Sequence, residues 1–438
     1  MKKILVLGAG RSSGALINYL LTNAVRHEWS IGIGDLDEAA AIGKVGSSPH
    51  AKAMYFNIED DVSSTASVAW ADVVISLLPP AYHTRVAKHC LIARKHLLTA
   101  SYVSDEMQSF HQDAIDKNLL LLNECGLDPG IDHMSAMQII DRIRSEGGVV
   151  TSFESFTGGL IAPDTDPGNP WRYKFTWNPR NVVMAGQGTA KYLEGGAFKY
   201  IPYQQLFRRV TKIQVNGIPY EGYANRDSLK YRETYRLHDI STMIRGTLRN
   251  EGFCEAWNVF VQLGCCDDTY RIDHAAGMTH RDFLACFLPG GADVEREIIQ
   301  YLNVSKGAIE KLRWLGLFND EPIGLSVGTP AQILEHILQK RWKLHANDND
   351  MIVMWHRFRY TTAGKSKEVQ ASLNIRGTNL ELTAMSRTVG LPLGIAAKLL
   401  LEGKIRSRGV MIPVHPEFYD PILHELKEEG IEMTERHL

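Results

Sequence analysis

The chain has 438 residues, 44% of them apolar and 22% charged, with a formal net charge of −2 at pH 7. That length exceeds what one core supports, so two or three domains are expected, and the balanced charge excludes the global basic field of a nucleic-acid binder. Six cysteines without a C-x-x-C pair predict reduced thiols in a cytoplasmic protein, and no stretch reaches the ~18 continuous apolar residues of a membrane span.

In chain order, Ile4–Leu7 reads as a short buried strand cut off by Gly8. The run is too short for a secretory leader. Gly8-Ala9-Gly10-Arg11-Ser12-Ser13 follows, in the form G-x-G-x-x-S, and Ala15, Leu16, Tyr19 and Leu20 then mark a helix. A dinucleotide site needs the first glycine for a tight turn and the second for close approach of backbone to pyrophosphate. Ser13 stands where the third glycine is usual, with Gly14 next. An ordinary strand–turn–helix would read much the same. Cofactor contacts are therefore expected at Gly8, Gly10, Arg11, Ser12 and Ser13.

The next strand, Trp29–Asp35, ends in an acid about 20 residues after the glycine turn, where a carboxylate would accept from the adenosine ribose hydroxyls. An acid there repels a 2′-phosphate, so Asp35 predicts NAD over NADP. A helix-cap role for Asp35 is the alternative. Three later strand ends carry polar side chains: "VISLLPP" with Ser76, Leu77 and Leu78 against the cofactor, "TASYVS" with Ser101 and Tyr102, and "NECGLDPG" with Asp128. In an open parallel sheet ligands bind at these carboxyl ends, so the three point to one crevice. Asp128 is read as the group that handles a proton or positions water, with Tyr102 on the same network; capping of the following helix is the alternative. His133 is read as bonded within its helix, and no metal site is expected. "VVTSFESFTGGL" and "MIVMWHRFRY" alternate as strands, whereas "DVEREIIQYL", "KGAIEKLRWLGL" and "TPAQILEHILQKRW" have helical spacing. The aromatic-rich "WRYKFTWNP" is read as core and loop rather than a base-stacking platform.

At "GLDPGIDHM" the sequence resembles the saccharopine dehydrogenase family, in particular its glutamate-forming members. "GAGRSS", "VISLLPP", "TASYVS", "SFTGGLIAP", "NPWRYKFTWNP", "EGYANRDSLKY", "RGTLRNEGF", "NDMIVM" and "AMSRTVGLPLGIAAKLLLEGKI" carry the likeness along nearly the whole chain. The resemblance implies an α/β architecture: a Rossmann-type domain (1–127, with 385–438 returning to it), an α/β catalytic and dimerisation domain (128–267 and 346–384) and a small helical domain (268–345). It also implies a homodimer whose substrate is saccharopine, a secondary amine with three carboxylates. Substrate contacts are implied at Ser101, Tyr102, Asp128, Arg226, Thr247, Leu248 and Arg249, with Arg172 a weaker candidate. Guanidinium suits carboxylate because its fork donates two parallel hydrogen bonds. Many relatives carry cysteine where this chain has Thr157, so no thiol role is expected there. A related polyamine enzyme of the carboxynorspermidine dehydrogenase kind and a non-catalytic NAD-binding sensor are the competing readings.

Overall fold

The computed structural model describes residues 1–185, 187–290 and 292–438. The chain folds into two compact units, 1–148 with 377–434, and 149–376 with 435–438.

In the first unit Ile4, Leu5, Val6 and Leu7 are all fully buried, without alternation. A strand of that kind is covered on both faces, which is the environment of a central parallel strand. It is β1 (Lys2–Leu7), followed in the chain by β2 (Trp29–Asp35), β3 (Ala51–Tyr55), β4 (Val73–Ser76), β5 (His96–Thr99) and β6 (Leu120–Leu122). Among the described residues these and Gly409–Met411 form one seven-stranded parallel sheet, in the order Gly409–Met411, β6, β5, β4, β1, β2, β3. The order reverses between β1 and β4. Ligands bind at the carboxyl ends beside such a switch point. The glycine turn follows β1, Leu77 follows β4, Ser101 and Tyr102 follow β5, and Asp128 lies beyond β6.

The glycines of the turn have separate reasons. Gly8 has φ +104°, which only glycine adopts freely. Gly10 has an ordinary φ of −71°, and a Cβ built on it would meet nothing within 4 Å. Ser13 donates its hydroxyl to the Gly10 carbonyl at 2.8 Å, which closes the turn. The close-packing role falls to Gly14, whose Cβ would lie 2.3 Å from the Glu381 carbonyl oxygen. Glu381 precedes the C-terminal helix Ala384–Leu401, and Gly390 and Gly394 of that helix press on Leu16 and Tyr19. The helix is long and apolar enough to cross a membrane, yet 78% of it is buried in the protein.

The Ile131–Ser145 helix belongs to this unit, although the sequence reading placed it after the boundary at 128. It packs on the Pro416–Glu428 helix, with Tyr419 donating to Asp141 at 2.8 Å.

The second unit is built on β7 (Val149–Ile161), β8 (Ala190–Glu194), β9 (Ala197–Ile201), β10 (Val210–Val215), β11 (Ile218–Ala224), β12 (Thr242–Asn250), β13 (Asp350–Thr362) and β14 (Lys365–Arg376). The main path is β10-β11-β12-β7-β13-β14, with Thr434–His437 added beyond β14, and β8 pairs with β12 and β9. Only β12 and β7 run parallel along β10–β14. Among the described residues of 268–345 there are four helices, and the stretch forms no separate unit. Trp342, at the end of that stretch, packs edge-on against Trp171, Tyr173 and Phe175 at 4.9–5.3 Å, so helices and "WRYKF" share one aromatic core.

Gly14→Ala and Gly10→Ala should therefore separate folding from binding. The first forces a methyl onto a backbone oxygen and should destabilise by about 1–3 kcal/mol. The second should leave the melting temperature native while weakening dinucleotide binding at least about tenfold, measured by direct titration. Native affinity in Gly10→Ala would mean that the open space is not a ligand's.

Candidate active site

The rim of the first unit divides the sequence-derived cofactor residues into accessible and inaccessible ones. Gly10 and Arg11 are exposed, and Ser12, Leu77, Leu78 and Asp35 are half-buried. Gly8 and Ser13 are buried parts of the turn itself. Ser76 is fully buried and its Oγ lies 3.0 Å from His83 Nδ1, so its side chain cannot touch a cofactor. The glycine turn still fits a dinucleotide: the space above Gly10 is open, and the helix start behind it leaves backbone N–H groups without intrahelical partners. Asp35 has a structural task as well. One carboxylate oxygen accepts from Ala9 N–H at 2.6 Å and the other from Asp37 N–H at 2.9 Å. The acid braces the glycine turn against the end of β2.

Tyr102 donates to Asp128 Oδ1 at 3.4 Å, a long contact that puts both groups on one network. Asp128 lies two residues before the N-cap of the helix that follows it. The N-cap is Gly130, and the Gly130 N–H goes to Asp132 at 2.6 Å. Behind this pair lies a buried brace. Glu124, 1% exposed, accepts from Val103 N–H at 3.0 Å through one oxygen and pairs with His133 Nε2 at 2.9 Å through the other. Asp132 lies 3.8 Å from His133 Nδ1. His133 thus reaches out of its helix to Glu124, contrary to the reading from sequence. The brace ties the loop that carries Tyr102 to the turn that carries Asp128. Among the described residues no group of three or more His, Cys, Asp or Glu is placed to hold a metal ion.

In the second unit, Thr247 and Arg249 alternate with Leu248 along β12. Thr247 pairs with Tyr223 on one side and Thr157 on the other, so these share a face. Leu248 points to the opposite face, fully buried among Phe156, Leu160 and Tyr220. Its side chain cannot contact substrate, and only its backbone remains for that role. Arg249 is 6% exposed. Its Nη1 donates to the Leu248 carbonyl at 2.9 Å, and the guanidinium lies 5.2 Å from the ring centres of both Tyr173 and Phe253. Its Nε has no partner, and among the described residues no carboxylate pairs with it. The buried hydroxyl of Thr157 is also without a partner, and Thr247 accepts from Asn225 at 3.2 Å. Arg226 is exposed just beyond β11, with φ +52° and its carbonyl held by Lys191 N–H. Arg172 is exposed as well. The sequence-derived residues from Gly8 to Asp128 therefore lie in the first unit, and those from Arg226 to Arg249 in the second.

Comparison with known proteins gives these features a family. Residues 4–122 match the family model for the saccharopine dehydrogenase NADP binding domain, and residues 126–431 match the saccharopine dehydrogenase C-terminal domain. The chain is 31% identical to saccharopine dehydrogenase [NADP(+), L-glutamate-forming] of Schizosaccharomyces pombe, over 99% of both chains. It is 35% identical to the mitochondrial alpha-aminoadipic semialdehyde synthase of Bos taurus, matching 99% of this chain and 47% of that one. The solved apo saccharopine dehydrogenase (L-Glu forming) of Saccharomyces cerevisiae superposes with a TM-score of 0.89 over the whole of both chains, at 29% identity. These findings overturn the expectation of NAD: the matched domain is named for NADP, and so are the fungal relatives. The expectation rested on Asp35 as a ribose ligand, whereas both its oxygens are engaged by backbone N–H groups, so the residue alone does not set the choice. With both stretches matched and a relative aligned end to end, the chain belongs to the saccharopine dehydrogenase family.

Proposed function

We propose that this chain is a glutamate-forming saccharopine dehydrogenase that uses NADP. The observation that carries the reading is Arg249: a buried guanidinium that no carboxylate of the described protein neutralises. A site of this kind suits a substrate that brings its own carboxylates, and saccharopine brings three. Arg226, the other arginine that the resemblance implies for substrate, is the second cation for them.

Bound NADP+ would supply the hydride acceptor. The chain's own groups have the remaining work. Hydride leaves the lysine-side carbon attached to the secondary amine, and the nitrogen must give up its proton for the C=N bond to form. We assign that proton to Asp128, and the Tyr102 hydroxyl hydrogen-bonded to it supports the reading. Water then adds to the imine carbon, the C–N bond breaks, and glutamate leaves with the nitrogen while 2-aminoadipate 6-semialdehyde keeps the carbon. The same carboxyl group can take the proton of the attacking water and return one to the departing amine. Thr157 offers a hydroxyl and no thiolate, so no thiol role falls to it.

The direct test is to supply saccharopine with NADP+ and follow the reduced-nicotinamide band while assaying products. One glutamate should form per NADPH, with kcat/KM for NADP+ above that for NAD+. Lysine and 2-oxoglutarate as products, or no turnover, would refute the reading. Asp128→Asn should lower kcat about 10²-fold, the usual size of a general acid–base contribution. Its melting temperature should stay native, because Gly130 is the helix N-cap and Asp132 takes its N–H. A native kcat with a native pH profile would leave Asp128 a structural residue.

A further inference from the structure

His83 figured in no reading of the sequence, yet it stands at the centre of a buried polar chain. It opens the His83–Ala93 helix just after the β4 turn and is 4% exposed. Nδ1 lies 3.0 Å from Ser76 Oγ, and Nε2 lies 2.7 Å from Ser101 Oγ and 3.3 Å from Thr99 Oγ1. Ser76 and Thr99 are fully buried, whereas Ser101 is half-exposed. The chain of hydroxyls therefore has one end that a ligand can reach, and that end is Ser101.

A neutral imidazole has one N–H donor and one acceptor. Which nitrogen has the proton follows from the neighbours. Among the described residues the Ser76 hydroxyl has no hydrogen-bond partner other than His83, and a buried O–H without an acceptor is costly. Two buried hydroxyls, Ser76 at Nδ1 and Thr99 at Nε2, compete for the one acceptor nitrogen of a neutral ring; the shorter contact, Ser76 at 3.0 Å against 3.3 Å, takes it, which places the imidazole proton on Nε2. The shorter contact of Nε2 is Ser101, so Nε2–H donates to Ser101 Oγ. Thr99 Oγ1, the longer contact, also accepts from Ser101 N–H at 3.3 Å. With its oxygen occupied as an acceptor, the Ser101 hydroxyl hydrogen is left to point outward.

We propose that His83 is a positioning residue that fixes the Ser101 hydroxyl as a hydrogen-bond donor to an anionic group of the substrate. The inference rests on the reading that Ser101 contacts saccharopine. Burial pushes His83 down to about 4, so the ring stays neutral at neutral pH and its donor–acceptor pattern does not change there. A serine left to itself would have to be turned into a donor on each binding event. Ser101 is turned in advance, by a ring that itself never meets the ligand.

The test is a double-mutant cycle on the full chain, read as KM and kcat for saccharopine beside direct titration of NADPH and a melting curve. Ser101→Ala should raise KM about tenfold, the loss of one hydrogen bond to a charged acceptor, with kcat within about twofold of native. His83→Phe should raise KM to a similar extent, and adding it to Ser101→Ala should cost nothing more. His83→Gln, whose amide N–H can take the place of Nε2–H, should stay within about threefold of native. NADPH affinity should be native in every variant. If His83→Phe fails to fold, Ser76→Ala serves instead. It frees Nδ1 and should raise KM only when Ser101 is present. Effects of His83 and Ser101 that multiply would overturn the proposal while leaving Ser101 a substrate contact. A native KM in Ser101→Ala would remove the substrate reading of Ser101 itself, and the proposal with it.

Discussion

The second unit buries a positive charge, the guanidinium of Arg249, that no carboxylate among the described residues neutralises. Taking an unpaired guanidinium out of water costs several kcal/mol, and proteins ordinarily offset it with a carboxylate. This chain does so elsewhere. Lys174 is 3% exposed and has Asp166 at 3.0 Å and Asp348 at 2.8 Å. Arg249 is nearly as buried and lies beside Tyr173, Phe253 and Tyr223 with one backbone carbonyl as acceptor, and among the described residues no carboxylate makes an ion pair with it. Aromatic faces stabilise a desolvated cation by roughly 2 kcal/mol. They hold the guanidinium in place without using up its fork. The contrast between the two cations is what supports the proposal that Arg249 meets an anion of the substrate, whereas Lys174 is paired within the protein.

What surrounds Arg249 follows from that placement. Strand alternation puts Thr247, Tyr223 and Thr157 on its face and Leu248 on the other. On the other face Phe156 lies flat over Gly222 and Gly246, where any side chain would collide with its ring at 2.4–3.0 Å. The helices of 268–345 and the Trp171–Phe175 stretch cover the core on the Tyr173 and Phe253 side. The first unit solves a different problem by a different device. Its strand-end loops have no repeating hydrogen bonds of their own, so the buried Glu124–His133 pair and the Ser76–His83–Ser101 chain hold them. Each device joins a loop to an element remote in sequence.

Much of this was legible before any coordinates. Short apolar runs without alternation, each closed by a turn, correctly pointed to a parallel sheet, and the glycine turn to its nucleotide end. The ordered motif blocks led to the family. The orientation of Leu248 was also readable, since a period of two separates it from Thr247 and Arg249, but the motif was carried over whole. Other features leave no local trace. Whether the Asp35 carboxylate is open to a ribose or engaged by Ala9 depends on how two turns meet 26 residues apart. His133 looked self-contained because its partner Glu124 lies outside its helix. His83 gave no signal, because its neighbours come from two strand ends, those of β4 and β5, that only the sheet brings together. The cofactor choice went wrong for the same reason: a residue type was taken for a role.

The most direct test replaces Arg249 with methionine and compares melting temperatures with and without saccharopine, in the presence of NADPH so that no turnover occurs. If the charge is kept for the substrate, Arg249→Met should melt at or above the native temperature, since an apolar side chain relieves the unpaired charge. Saccharopine should then raise the melting temperature of the native protein and not that of the variant. A variant that melts well below native and still gains the full stabilisation from saccharopine would contradict the assignment and make Arg249 a structural cation.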